Sequence, residues 1–304
     1  MSDCVLYWLA RALVAALQAL PLPCVARLGR IGGALAFWLD CRHRRVALRN
    51  LAMCFGGEKT AAEMRALARE NFRRIGENFA CAAKTASMTS DELRPHCEFV
   101  GVEKLMPTEP GAARQNRVFA VGHFGNFEIY ARLAQRVPEI RCATTYRGLR
   151  QPSLNRLLQS LRERSGCLFF ERRTDAAALR AAMNQSGFFL GLLADQDAGD
   201  NGLRVPFFGC ECSTSAAPAL FALRYRCPLH TAICFRTGLG RWRVEMGDEI
   251  PIHENGTPRE VAAIVGDVNR AFEHAIRQDP ANWFWVHNRW KRASRPAPTR
   301  KAKR

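Results

Sequence analysis

VFAVGHFGNFE, Val118 to Glu128, is an apolar β-like run that stops at Gly122 and is followed by two ionisable side chains five positions apart, His123 and Glu128. Open α/β sheets place their sites outside the carboxyl ends of strands, so the run predicts a site at a strand end. Gly125 and Asn126 stand between the two ionisable groups. If the chain turns into a helix around Asn126, both side chains point to one side, and the N–H groups of the first turn form a patch that favours anions.

Working outward, comparable short runs, Phe188 to Leu193 and Leu229 to Phe235, alternate beyond Pro107 with helical stretches around Leu154 to Arg164 and Ala176 to Met183. Strands interleaved with helices predict an α/β domain, a mixed sheet flanked by helices. Upstream, Thr60 to about Ala86 has helical periodicity, with Leu67, Phe72, Ile75 and Phe79 as a stripe facing the core.

The amino end differs. Cys4 to Leu22 is 19 residues long and apolar apart from Arg11 and Gln18. That is close to the length a bilayer core asks for, but a central arginine costs roughly 2.5–3.5 kcal/mol on insertion scales. A tilted span or an in-plane anchor fits better than a full transmembrane helix. A second apolar stretch, Val25 to Leu39, contains Gly29, Gly32 and Gly33, reaches Trp38 and meets Arg42, His43, Arg44, Arg45 and Arg49, as an interface-seated segment facing anionic headgroups does. These features divide the chain into a membrane-associated segment over residues 1–40, a main domain over 41–292 and a basic, disordered tail over 293–304.

The 45 Lys+Arg against 28 Asp+Glu give a net charge of +17, so the partners are expected to be anionic: nucleic acid, an acidic carrier protein or phosphate-bearing lipid. A nucleic-acid-binding protein is the competing class, but no zinc-finger or RRM-like signature is present, and that reading leaves the apolar N-terminus unexplained. The twelve cysteines fall singly apart from Cys210-x-Cys212, which fits small buried hydrophobes in a reducing cytoplasm rather than zinc or a disulfide framework. No phosphate-binding or dinucleotide-binding glycine loop stands between a strand and a helix, so no cofactor is expected. Asp195-x-Asp197 with Asp200 and Asn201 does not match a calcium loop, which needs Gly at the sixth position and Glu at the twelfth, where this chain has Asp200 and Pro206.

What reaction suits His123 and Glu128? Acyl transfer to an alcohol needs a base for the hydroxyl proton, a partner that orients the base, and donors for the oxyanion. His123 is the natural base, and Glu128 is expected to fix its tautomer and stabilise the imidazolium. The acceptor hydroxyl then plays the part of the triad serine, so no enzyme nucleophile is required. Phe207 and Phe208, in Val205-Pro206-Phe207-Phe208-Gly209, are candidates to line an acyl pocket.

HFGNFE resembles the H-x4-[DE] motif of glycerolipid and lipid A acyltransferases, and its Gly-Asn-Phe-Glu form resembles the late (secondary) acyltransferases of lipid A biosynthesis. TYRGLRQPSLN, Thr145 to Asn155, resembles that family's Tyr-Arg segment, although Gly148 stands where the family often has proline. LLADQDAGDNGLRVPFFGCECSTSAAPA, Leu192 to Ala219, resembles its DQD, VPFFG and Thr-rich run, and NWFWVHNRWK, Asn282 to Lys291, its aromatic closing segment. The four blocks, in order, extend the resemblance over roughly residues 5–292. The resemblance implies a glycerolipid acyltransferase-like fold and substrate contacts at Gly125, Asn126, Tyr146, Arg147, Asn155, Asp195 and Asp197. It further implies an acyl carrier protein thioester as donor, an anionic glycolipid such as a lipid A precursor as acceptor, and a place at the cytoplasmic face of the bacterial inner membrane. Another lipid acceptor, an aminolipid or a phosphatidylinositol mannoside, is the alternative within the same chemistry.

Overall fold

The computed structural model describes residues 3–106, 114–137 and 140–291; the tail expected over 293–304 lies outside them. Helices α1 (Asp3–Ala19), α2 (Leu22–Leu39), α3 (Cys41–Phe55), α4 (Ala61–Thr85) and the short α5 (Ser90–Leu93) come first. There follow β1 (Cys97–Val100), β2 (Arg117–Val121), β3 (Arg141–Tyr146), α6 (Pro152–Arg162), β4 (Leu168–Glu171), α7 (Ala176–Met183) and β5 (Phe188–Leu193). The hairpin β6 (Leu203–Phe207) and β7 (Cys210–Thr214), then α8 (Ala217–Tyr225), β8 (Leu229–Gly238), β9 (Arg241–Ile250) and α9 (Val261–Gln278) complete the body.

Seven strands form one sheet in the order β1-β9-β8-β2-β5-β3-β4, parallel throughout except for the antiparallel β8–β9 pair. This is the mixed sheet with flanking helices that the interleaved pattern predicts. Side chains alternate across it. Val118 and Ala120 of β2 enter one apolar cluster with Phe124, Phe207, Phe272, Trp283 and Trp290, whereas Phe119 and Val121 enter a second with Phe189, Cys142 and Met246.

Thr60 begins α4 with a capping box, its hydroxyl and the Glu63 carboxylate exchanging hydrogen bonds with each other's backbone N–H. Phe72 is buried as the stripe predicts, but Phe79 is 53% exposed: it lies on the rim of a cavity, edge-on to Phe127 and Phe284. Against α4 lies α2, backbone to backbone. A methyl at Gly33 would stand 2.1 Å from the Phe72 carbonyl oxygen, and one at Gly29 2.5 Å from that of Gly76, so only glycine permits this approach.

While Leu22, Val25, Ala26 and Phe37 of α2 are buried, Leu28, Ile31, Leu35, Trp38 and Leu39 are exposed. A helix apolar on its buried side and apolar again on its open side is not built for water alone. It is also the one described helix long and apolar enough to cross a membrane, with a third of it buried. The shorter α1, which covers most of the Cys4–Leu22 segment, buries none of its residues and exposes Trp8, Leu9 and Leu13.

Candidate active site

Val121 of β2 pairs with Leu193 of β5 in parallel register. His123 and Asp195 each follow two residues later, so neighbouring strand ends deliver them side by side. The His123 Nδ1 lies 2.8 Å from Asp195 Oδ1, and the His123 backbone N–H donates to Oδ2 at 2.8 Å. Trp283 Nε1–H donates to the same Oδ2 at 2.8 Å. Burial pushes the fully enclosed Asp195 carboxyl up, but the neighbouring His123 and the hydrogen bonds from His123 and Trp283 outweigh it and hold the group below its ordinary value. An ionised carboxylate at Nδ1 fixes the proton on that nitrogen and leaves Nε2 bare, the tautomer a general base requires.

This geometry corrects the pairing read from sequence. Glu128 does not orient His123. The chain past Asn126 winds into a 3₁₀ helix, Phe127–Gln135, and Glu128 receives both arms of the Arg162 fork instead, Nη2 to Oε1 at 2.6 Å and Nε to Oε2 at 3.1 Å. Arg162 stacks in turn over Phe169, 4.7 Å from its centroid, and stands 5.8 Å from that of Tyr146. Both Glu128 and His123 nevertheless line one cavity of about 1070 Å³, at the upper end of the range for small-ligand sites.

Gly125 holds the turn between them with φ +51°, and its N–H donates to the Asn282 carbonyl at 3.1 Å. A side chain there would be strained, and its Cβ would stand 2.5 Å from the Cys234 carbonyl oxygen. Asn126 is buried, its amide 3.5 Å from Thr85 Oγ1. Tyr146 and Arg147 leave the end of β3 at the cavity mouth. Asn155 lines no part of the cavity; its Oδ1 accepts the Leu149 N–H at 3.1 Å and so shapes the loop that presents Arg147. Gly148 donates its N–H to Glu171 Oε1 at 3.3 Å, a bond that proline at this position could not make. Asp197 lines the cavity, and its N–H donates to His287 Nε2 at 3.0 Å.

Phe207 and Phe208 do not line the cavity. The β6–β7 hairpin turns Phe207 onto Trp283 and stacks it on Trp290, on the opposite side of the sheet, and Phe208 at the turn packs against Phe55. Contrary to the sequence expectation, they form no part of an acyl pocket at this cavity. Ser213 and Thr214 belong to β7, and Ser215, just beyond it, accepts the Ala217 N–H at 3.4 Å.

Sequence reasoning missed four residues. Arg162, Trp283, His287 and Arg289 gave no local signal beyond the last three falling in the aromatic closing block. That block is bound to the site: Phe124 bridges Trp283 in antiparallel fashion, Asn71 of α4 donates to the Ala281 and Trp283 carbonyls, and Asn50 of α3 to those of Trp285 and His287. Buried Arg289 donates to the Gln196 and Ser213 carbonyls and to Thr214 Oγ1, tying the Asp195–Asp197 loop to β7.

An imidazole oriented by a buried carboxylate, facing a large cavity whose lining is mainly apolar, is a site for moving a proton during group transfer to or from an apolar ligand. A family model described as bacterial lipid A biosynthesis acyltransferase matches residues 1–292. The chain belongs to this family and is an acyltransferase. It is 25% identical over 279 residues to the lipid A biosynthesis palmitoleoyltransferase of Escherichia coli (strain K12), covering 90% of this chain and 86% of that protein. It is 24% identical to the lipid A biosynthesis lauroyltransferase of the same organism, covering 97% and 94%. A lipid A biosynthesis acyltransferase of Shigella flexneri is similar at 25% identity, again over 90% and 86%.

Proposed function

We propose that this enzyme transfers a fatty acyl chain from an acyl carrier protein thioester to a hydroxyl of a lipid A precursor or a related anionic glycolipid. The single observation that carries the reading is the His123–Asp195 pair at the strand ends, opening on the 1070 Å³ cavity. His123 Nε2 takes the proton of the acceptor hydroxyl as its oxygen attacks the thioester carbonyl. The tetrahedral intermediate then collapses, the carbon–sulfur bond breaks, and the imidazolium returns the proton to the departing thiolate. Asp195 holds the ring and offsets its positive charge in the transition state. Glu128 and Arg162, paired in the wall of the same cavity, position substrate.

Arg147 and Arg172 support the anionic acceptor. Tyr146 and Glu171 pair in register on β3 and β4, so the two arginines leave adjacent strand ends side by side at the cavity mouth. Neither has an ion-pair partner among the described residues. Guanidinium forks so placed suit a phosphate. The net charge of +17 also suits an acidic carrier. The open apolar sides of α1 and α2 seat the enzyme on the cytoplasmic face of the inner membrane, where such an acceptor lies.

Two measurements test transfer and seating separately. Membranes carrying the protein, supplied with acyl carrier thioesters and a lipid A precursor, are expected to add one acyl chain to the precursor by mass. Ile31→Asp with Leu35→Asp, on the open side of α2, is expected to release the protein from vesicles, since burying each such side chain is worth about 1.5–3 kcal/mol. An unchanged precursor mass defeats the transfer reading, and undiminished vesicle binding by the double variant defeats the seating.

A further inference from the structure

Strand β5 lies between β2 and β3 in the middle of the sheet, where every residue should be enclosed. Phe188, Phe189, Leu190 and Leu192 are, but Gly191 and Leu193 are partly exposed, and Gly191 has no side chain to fill the space above it. The cavity explains this, for Gly191 and Leu193 both line it. A Cβ added to Gly191 would meet nothing nearer than the Ala143 carbonyl oxygen at 3.9 Å, so the missing side chain leaves open space over the sheet. A glycine inside a buried strand marks a place where something approaches the backbone closely. The register sets Gly191 between Phe119 and Thr144, and the Thr144 hydroxyl donates to the Gly191 carbonyl at 2.8 Å, satisfying the polar group beside the gap.

The strands also order the cavity by depth. Val121, Leu193 and Ala232 form the level nearest His123; Phe119, Gly191 and Thr144 the next; Phe189 and Cys142 the deepest. The Phe119 ring of the middle level lies 5.5 Å from the Phe189 ring of the deepest, and burial pushes the Cys142 thiol beside Phe189 up to about 12, keeping it uncharged.

We propose that the acyl chain crosses the sheet at Gly191 and ends against the Phe119–Phe189 ring pair, so that these three residues set acyl length. The inference rests on the cavity being the acyl site of the reaction above. Strands rise about 3.3 Å per residue, so the Phe119 level lies ~13 Å from His123 and the Phe189 level ~20 Å. An extended chain built from ~1.5 Å carbon–carbon bonds advances about 1.25 Å per methylene, so these depths hold roughly 10–16 carbons.

The test offers wild type, Gly191→Val, Phe189→Leu and Phe189→Ala a mixture of saturated thioester donors and reads the acyl length of the product. In parallel, binding of a ladder of free saturated fatty acids is measured, which requires no turnover. For wild type, affinity is expected to rise about fourfold per methylene until the wall is met and then to level off. Valine at 191 sets its Cβ at an ordinary 3.9 Å from the Ala143 carbonyl oxygen, projects into the gap and bars the deepest level, about two residues or ~7 Å of strand. Preference and plateau should both shorten by about four to six carbons, with thermal stability kept. Leucine and alanine at 189 should lengthen both in that order, the leucine variant serving if the alanine variant folds poorly. Transfer with product length unchanged in both Gly191→Val and Phe189→Leu overturns the proposal, as does equal loss of every length in Gly191→Val. Shifted fatty-acid plateaus without any transfer by wild type would leave the length assignment standing and overturn the transfer reaction alone.

Discussion

His123 shares its cavity with two carboxylates whose surroundings differ in kind. Asp195, bonded to the ring, is 1% exposed and accepts three hydrogen bonds; Glu128, which lines the same cavity, is 25% exposed and is held bidentately by Arg162. An enclosed carboxylate bonded to the base can act only through that base. One at a cavity wall, matched to an arginine, can meet substrate directly or shape what does. On the proposed reaction, the two acids have separate work, divided by burial and partner rather than by distance along the chain.

The largest expected effect attacks the enclosed side. Asp195→Asn keeps the shape but turns an amide toward a ring that needs an acceptor at Nδ1, and His123→Ala removes the base. Each is expected to slow transfer by about 10²–10⁴-fold with the fold retained, as seen by circular dichroism. The double variant should cost little beyond the worse single one, since the two act as one unit. Full additivity would dissolve the dyad.

Smaller losses, about 10²-fold or less, are expected on the cavity side for Glu128→Gln and Arg162→Lys. The comparison sharpens in a double-mutant cycle: Glu128 and Arg162 should couple strongly with each other, while Glu128→Gln and Asp195→Asn should add. Strong coupling of Glu128 to His123 with independence from Arg162 would return Glu128 to the orienting role its spacing suggests.

That spacing shows what was legible in the sequence. The runs at 118–121, 188–193 and 229–235 and the helix at 176–183 are recovered because period and turn signals are local. The strand end, His123 and the loop around Gly125 were legible for the same reason. Asp195 as the partner was not, because it depends on the Val121–Leu193 register across 72 residues of chain. Phe79 and Phe207 failed similarly: periodicity gives a face, but only tertiary placement decides whether that face meets core or cavity. The open side of α2 was half legible, since apolar composition revealed the element but not the Gly29, Gly33 and Gly76 contact that fixes which side stays free.

The least effect is expected where the two sides meet, at His287. Its Nε2 accepts the Asp197 N–H at 3.0 Å, so this nitrogen must stay unprotonated in the folded enzyme. Burial lowers its pKa from the ordinary 6.5; nearby Asp195 and Asp197 oppose this, and His123 and Arg289 reinforce it. Between the lowered folded value and 6.5 the unfolded chain binds a proton that the folded chain does not, so stability rises with pH across that window and falls on acidification through it. Asp195 works in the same direction further down, its stabilisation present above the ordinary carboxylate value and lost as pH falls through its own lowered one. Melting temperature measured from about pH 7.5 to pH 5 should decline in wild type, by roughly 2–4 °C for each kcal/mol lost. His287→Gln, whose side-chain oxygen can accept the same N–H without titrating, should be flatter over that window and should keep most of its transfer rate at neutral pH. An identical slope in wild type and His287→Gln would show that the Asp197 loop is held by something other than an unprotonated imidazole.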